Sequence, residues 1–498
     1  MERVLKNLKP ENVFRIFEDI CNIPHPSGHT KAISDYCVNF AKNLGLKYIQ
    51  DEYGNVIIFK DATAGYENAK TVIVQGHIDM VPDKISSSNH VFETDPLEVR
   101  IEGNYIKANG TTLGGDDGSG AVYALALLEE DIPHPALEIL LTVDEEIGMI
   151  GATKADLSML KGEILINIDS EIEGEFTLGC AGGVKADLCL HVEHDEEFAG
   201  EDYSLVISGL KGGHSGIEID KQRANANNLL AIVLDELSND FDIRLKYIYG
   251  GKMDNAICAK CESIISIKSS DENKIKNKIS EMEKELKLEY NKSDSGLSIS
   301  FDKLSEETVS SFEGISSSDD INKLKTTSKE TNEKFIKFLK LAPWGVQAFE
   351  QADKEKVETS LNLGMLRMNE SDIRFCYLVR SSNGEKKKRL AQVLEILIKD
   401  LGGSISYSGD YPAWTYNPEN EIAPIMTKVY KELTGKEPVV NIVHAGLECG
   451  IILSKTNVKS AVSYGPNIPD IHTPNERLDI ESTARMYDLL KRTVSSIK

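Results

Sequence analysis

Positive charge is what this chain has too little of. Its 56 lysines and arginines face 80 aspartates and glutamates, a formal net charge of −24. That sign argues against nucleic acid or an anionic membrane surface as the main partner. Long apolar runs are missing too: none reaches the ~18 residues of a membrane-spanning helix. The amino end, MERVLKNLKPENVFRIFEDI, has no apolar core followed by a small-residue cleavage site. Cysteine is sparse, 8 in 498 residues without framework spacing, which points to reduced thiols in a cytoplasm. The one CxxC, Cys258 to Cys261, sits in a strand-like run with no second pair behind it, unlike a structural zinc site.

What is there suits a large globular protein. A chain of 498 residues is too long for one ordinary core, and 41% hydrophobic with 27% charged residues is a globular composition. Helical spacing covers 11–20 and 30–44, with strands at 55–60 and 71–76. A helix starts near Asp117. The strand LEILLTV, a helical ATKADLSML and the strand EILINID follow. This alternation predicts an α/β layer with a largely parallel sheet. From about Val184 the runs read as antiparallel, and 269–335 is rich in Lys, Glu, Ser and Asn, hence exposed helix or loop. A strand at 371–382 leads to a helix, a glycine stop and a further strand. Beyond 412, a helix (421–434), a strand (459–465) and a closing helix (481–496) return to the first pattern. The expected organisation is a discontinuous α/β domain, 1–183 plus 412–498, with a domain at 184–411 inserted in it.

Of five short motifs rich in polar groups, four directly follow a predicted strand and one, LGGDDGSG, opens a helix. QGHIDMVP carries His77 and Asp79, LGGDDGSG carries Asp116 and Asp117, and VDEEIG carries Glu145 and Glu146. INIDSE carries Asp169, and PDIHTPNE holds His472. Singly, each has a structural reading: a bonded core histidine, a helix cap at Asp116, a turn at Asp169. GGDDG is hostile to phosphate, having two aspartates and no lysine nearby. Jointly they are mixed imidazole and carboxylate donors at the edge where open α/β sheets bind ligands. Such donors suit zinc, with manganese or cobalt as substitutes.

In chain order, GHIDMVP, LGGDDGSG, TVDEEIGMIGA, GGHSG, ETSLNLG, HAGLECG and SYGPNIPDIHTPNERL resemble the dinuclear zinc peptidases of the aminoacylase and carboxypeptidase type. The likeness is greatest to the aminoacyl-histidine dipeptidase branch. It spans nearly the whole chain and is poorest over 269–335. The resemblance implies a catalytic domain with two divalent metal ions, zinc first, bridged by Asp116. His77 and Asp169 would complete one site, Glu146 and His472 the other. It also implies that Asp79 holds the ring of His77, that Glu145 is the general base, and that the Asp116–Asp117 bond is cis. Asp144 is expected to be merely solvated.

For the insert the resemblance implies an α+β lid. His214 would stabilise the oxyanion, and Asn255 and Arg380 would hold substrate, the arginine at the C-terminal carboxylate. Gly446 and Glu448 would line the pocket, Glu448 meeting the substrate's amine. Two halves of the lid, each with strands and a helix, suggest an internal pseudo-pair. The implied activity is cytoplasmic hydrolysis of small peptides: dipeptides with a free amino terminus, including β-Ala-His, by Glu-assisted attack of water. The protein would act without nucleic acid or membrane, as a monomer or homodimer. Two alternatives stay open: an N-acyl amino acid deacylase or aminotripeptidase, and a non-catalytic peptide- or metal-binding protein.

Overall fold

Runs of β-branched and leucine residues become the centre of a sheet. Val72–His77, Leu137–Thr142 and Ile164–Asn167 are buried at every position, as strands covered on both faces must be. Alternate side chains enter different cores. Val72, Val74, Ile139 and Ile166 join the larger one, with helices Glu11–Cys21, Gly115–Glu129 and Ile480–Ser496. Ile73, Leu140 and Leu165 join a smaller one with Leu157, Leu160, Cys449 and Ile452. Truncating a residue such as Ile139 to Ala costs about 2–5 kcal/mol.

This computed structural model describes residues 3–498 apart from 196, 306–311, 314, 316–323 and 351–353. Part of the polar 269–335 stretch therefore lies outside the described residues. The chain forms two compact units, Met1–Cys180 with Trp414–Lys498, and Ala181–Ala413.

The first unit holds an eight-stranded sheet, in the order Lys47–Gln50, Val56–Lys60, Leu137–Thr142, Val72–His77, Ile164–Asn167, Ser460–Ser463, Glu175–Cys180, Val439–Val443. The four strands from Leu137–Thr142 to Ser460–Ser463 are mutually parallel, and antiparallel pairings flank them. Their carboxyl ends, at Thr142, His77, Asn167 and Ser463, share one edge. Two local expectations fail. The helix read over 152–160 is Ile150–Lys154, because Leu157 and Leu160 mimic helical spacing while filling the smaller core from a loop. The half-exposed edge strand Val439–Val443 is an addition to the expected elements: its apolar run, VVNIV, is short and broken by Asn441.

Among the described residues the second unit holds a nine-stranded sheet in which every pairing is antiparallel. The halves of the insert join where Tyr249 pairs with Arg367 and Gly250 with Leu366. Helices Ala226–Ser238, Glu272–Glu289, Lys329–Leu341 and Gly384–Asp400 share its core. In the polar stretch, Glu272–Glu289 buries only Ile275, Ile279, Met282 and Leu286, one narrow stripe. Cys258 and Cys261 lie in this core, where burial pushes the Cys258 thiol up to about 12.

Candidate metal centre

Each polar loop leaves the parallel edge of the first unit at a chosen height. His77 ends its strand and is 1% exposed. Its Nδ1 donates to the Asp79 carbonyl at 3.0 Å, with Asp79 Oδ1 at 3.4 Å. The proton is thereby assigned to Nδ1, and Nε2 is left as the lone-pair side. That Nε2 stands 3.3 Å from Asp116 Oδ1 and 3.7 Å from Asp169 Oδ1. On the far side of Asp116, Oδ2 lies 3.1 Å from His472 Nε2, which is 3.0 Å from Glu146 Oε1. Two donor triads result, His77–Asp116–Asp169 and Asp116–Glu146–His472, each gathered within 4.8 Å. A third set, His77–Glu145–Glu146, meets the same limit.

The charges confirm how crowded the acids are. Burial pushes Asp169 and Glu145 well above the carboxylate range, against the pull of His77. Burial raises Glu146 as well. Desolvation also acts on Asp116, but bonds to His472 and His77 hold it low. His472 is raised to about 11 by its bonds to Asp116 and Glu146. Divalent cations fit this cluster: imidazole lone pair and carboxylate oxygens are their donors, and a cation replaces the protons.

Carboxylates outside the two triads fix the loops. Asp79 accepts from Ser27 Oγ at 2.7 Å, and from the backbone N–H of Glu145 at 3.1 Å and of Glu146 at 3.4 Å. It thus positions both glutamates besides the ring of His77. Asp117 accepts from His77 N and Gly120 N. A Cβ on Gly76 would stand 2.5 Å from Asp117 Oδ2, and one on Gly120 closer still, so both positions need glycine. The Asp116–Asp117 bond is cis, as expected.

Sequence reasoning missed several residues. Glu476, 3% exposed, accepts from the backbone N–H groups of Leu113, Gly114, Gly115 and Asp116 at 2.7–3.3 Å. Its signal was its place in the quoted PNERL. Beneath the triads lies a polar layer from inside the strands. Asn167 donates to Gln75 at 2.6 Å, while Gln75 and Thr142 donate to Glu448 Oε2 at 2.6 and 2.5 Å. Glu171 is desolvated beside Asp116 and raised to about 8.

Two expectations need correcting. Asp144 is not merely solvated: with φ 54° it turns the chain, and its Oδ1 accepts from Gly28 N at 2.7 Å. Glu448, expected to face substrate, is 0% exposed and braces the strand ends from below. Gly446, two residues earlier, is half-buried ahead of the helix Glu448–Lys455.

In the second unit His214 belongs to a two-residue ribbon, Gly213–His214 against Ala256–Ile257. Asn255 adjoins it, its carbonyl accepting from Ser215 N at 2.8 Å. Arg380 is 5% exposed in the strand Asp372–Ser381. Its Nη1 donates to Tyr411 Oη at 2.8 Å, and its buried Nε meets no acceptor among the described residues.

The sequence pattern of Peptidase family M20/M25/M40 matches residues 73–496. The chain is 36% identical over 495 residues to the cytosol non-specific dipeptidase of Escherichia coli, covering 99% of each protein. Its structure is similar to that of aminoacylhistidine dipeptidase from Vibrio alginolyticus, at 33% identity with a TM-score of 0.86 over 100% of this chain and 99% of that one. Aminopeptidase PepT from Bacillus cereus shares the fold, at 15% identity with a TM-score of 0.54, covering 98% of each chain.

Proposed function

This chain belongs to peptidase family M20/M25/M40, and from that premise we propose that it is a two-metal dipeptidase for peptides with a free amino end, Xaa-His types included. One observation carries the reading. The two oxygens of Asp116 face different imidazoles, Oδ1 toward His77 at 3.3 Å and Oδ2 toward His472 at 3.1 Å, the arrangement of a carboxylate shared by two cations. His77 and Asp169 would complete one site, Glu146 and His472 the other. The donor set suits zinc, and cobalt or manganese accept it too. When bound, the cations would polarise the scissile carbonyl and lower the pKa of water to near 7.

The chain's own residues do the rest. Glu145, tied by its N–H to Asp79, takes a proton from the attacking water and returns it to the leaving amine. Asp79 keeps the Nδ1 proton of His77 in place, so that Nε2 stays a donor of electrons. His214 donates to the oxyanion that develops on the carbonyl. Asn255 and the backbone at Gly446 orient the peptide. Arg380, buried with an unsatisfied Nε, binds the C-terminal carboxylate. Since Glu448 is enclosed, the preference for a free amine rests on the relatives rather than on that residue. The name of the Escherichia coli relative supports a cytoplasmic site.

The test is turnover of β-Ala-His, Ala-His, Leu-Leu, a tripeptide and an N-acetyl amino acid by metal-stripped protein, with and without zinc, cobalt or manganese. Metal-dependent cleavage of the dipeptides alone is expected. Cleavage of the acylated compound or the tripeptide instead would replace the substrate reading and keep the centre. Inactivity with metal bound would turn the protein into a binder.

A further inference from the structure

A histidine that donates a proton-bearing nitrogen must carry its proton on the correct side of the ring. In His214 the choice is made by the loop that follows it. The backbone N–H groups of Gly216 and Ile217 both point at Nδ1, each at 3.1 Å. Two donors leave no room for a proton there. Glu218 closes the turn from the other end, its Oε2 accepting from His214 N at 2.9 Å while its own N–H reaches the His214 carbonyl at 3.2 Å. Behind it, Oε1 takes Lys221 Nζ at 2.7 Å and Arg223 Nη2 at 3.0 Å, and Arg223 Nη1 bonds the Gly212 carbonyl. Gly213, at φ 134°, is where this cluster meets the backbone: a Cβ there would stand 2.6 Å from Glu218 Oε2.

We infer that the loop 212–223 is a tautomer lock, in which Glu218 is a positioning residue that holds His214 with its neutral-ring proton on Nε2. The inference rests on the reading that His214 serves the reaction, because an Nε2–H donor is what an oxyanion requires. Lys221, the His214 N–H and Arg223 hold Glu218 down to about 2, so it remains an acceptor at any pH at which the enzyme works. The lock lies wholly within the second unit and uses no metal.

The experiment is long-range proton–nitrogen NMR on the full chain with ¹⁵N-labelled histidine, the His214 ring being assigned by its disappearance in His214→Asn. The expected spectrum shows a pyridine-type Nδ1 and a pyrrole-type Nε2 at neutral pH. In Glu218→Ala the two shifts should move toward each other, with kcat down about tenfold and KM changed less than about threefold, a fraction of the loss from removing an oxyanion donor outright. Glu218→Gln keeps an acceptor and should recover most of both. A reversed or averaged pattern in the unaltered protein overturns the inference even if a variant fails to fold. So does an unchanged pattern in Glu218→Ala. Full turnover by His214→Asn would instead overturn the catalytic reading, and the spectrum would still decide the lock.

Discussion

The two units place polar side chains by different means. In the first, every candidate ligand follows a strand of the parallel edge or enters a loop pinned by a buried carboxylate: Asp79, Asp117 or Glu476. Under them runs the layer of Gln75, Thr142, Asn167 and Glu448. In the second, His214 is set by its own loop and Arg380 by the end of one strand. A metal site tolerates errors of a few tenths of an ångström and so is built on rigid elements with supporting bonds. A substrate-holding group needs only a local anchor. Substitutions in the first unit should therefore disturb metal and chemistry, and those in the second should leave the metals bound.

The largest expected effect is at the base. Glu145→Gln should retain metal by elemental analysis yet lose about 10³-fold in kcat, within the range for a general acid–base group. Unchanged turnover would remove Glu145 from the mechanism. Next comes Arg380→Ala. Losing a charged hydrogen bond of ~1.5–3 kcal/mol should raise KM about 10- to 100-fold with metal content intact. A C-terminally amidated dipeptide separates binding from folding, because the native enzyme should discriminate against it and the variant should not. If Arg380→Ala sheds metal instead, the contrast between the units is broken.

How far these roles could be read beforehand follows the same divide. His77, Glu146, Asp169 and His472 stood out because a polar residue after an apolar strand is conspicuous, Asp116 because paired aspartates open a helix, and the resemblance joined the five into one ligand set. Gln75, Thr142 and Asn167 did not, being single polar residues inside strands whose neighbours are apolar. Glu476 stood in a quoted motif, yet its partners lie some 360 residues away, a pairing that no local pattern reveals. Asp144 looked idle because its partner, Gly28, is also remote in the chain, 116 residues away. Glu448 was misjudged because a loop residue was taken to be accessible. The lock on His214 is local, and GGHSG with Glu218 four residues on hints at it, but the direction of an N–H group does not follow from residue types.

A smaller effect tests the supports of the metal unit. Glu476→Gln keeps the shape but weakens four backbone acceptor bonds to the loop of Asp116. It should cost about tenfold in metal affinity, the lower end for groups that orient ligands. Titration calorimetry on stripped protein reads it directly. An unaltered affinity would mean that the loop holds its place without Glu476.

The smallest effect concerns the layer below. Burial pushes Glu448 up to about 7, against the bonds from Thr142 and Gln75, whereas in the unfolded chain a glutamate titrates near ~4.3. A carboxyl raised on folding contributes stability that is complete below its unfolded pKa and disappears as pH rises through the folded one. Metal-stripped protein should thus lose this contribution between about pH 4.3 and 7. Glu448→Gln mimics the protonated form and has nothing to lose. The melting temperature of the variant minus that of the native chain should rise across that window and level off above it. The Glu448 charge also helps to raise Asp169 and Glu145, so the difference reads Glu448 together with its repulsion of those two acids. A gap independent of pH would show that its second oxygen, unpaired among the described residues, is neutralised by something other than its own proton.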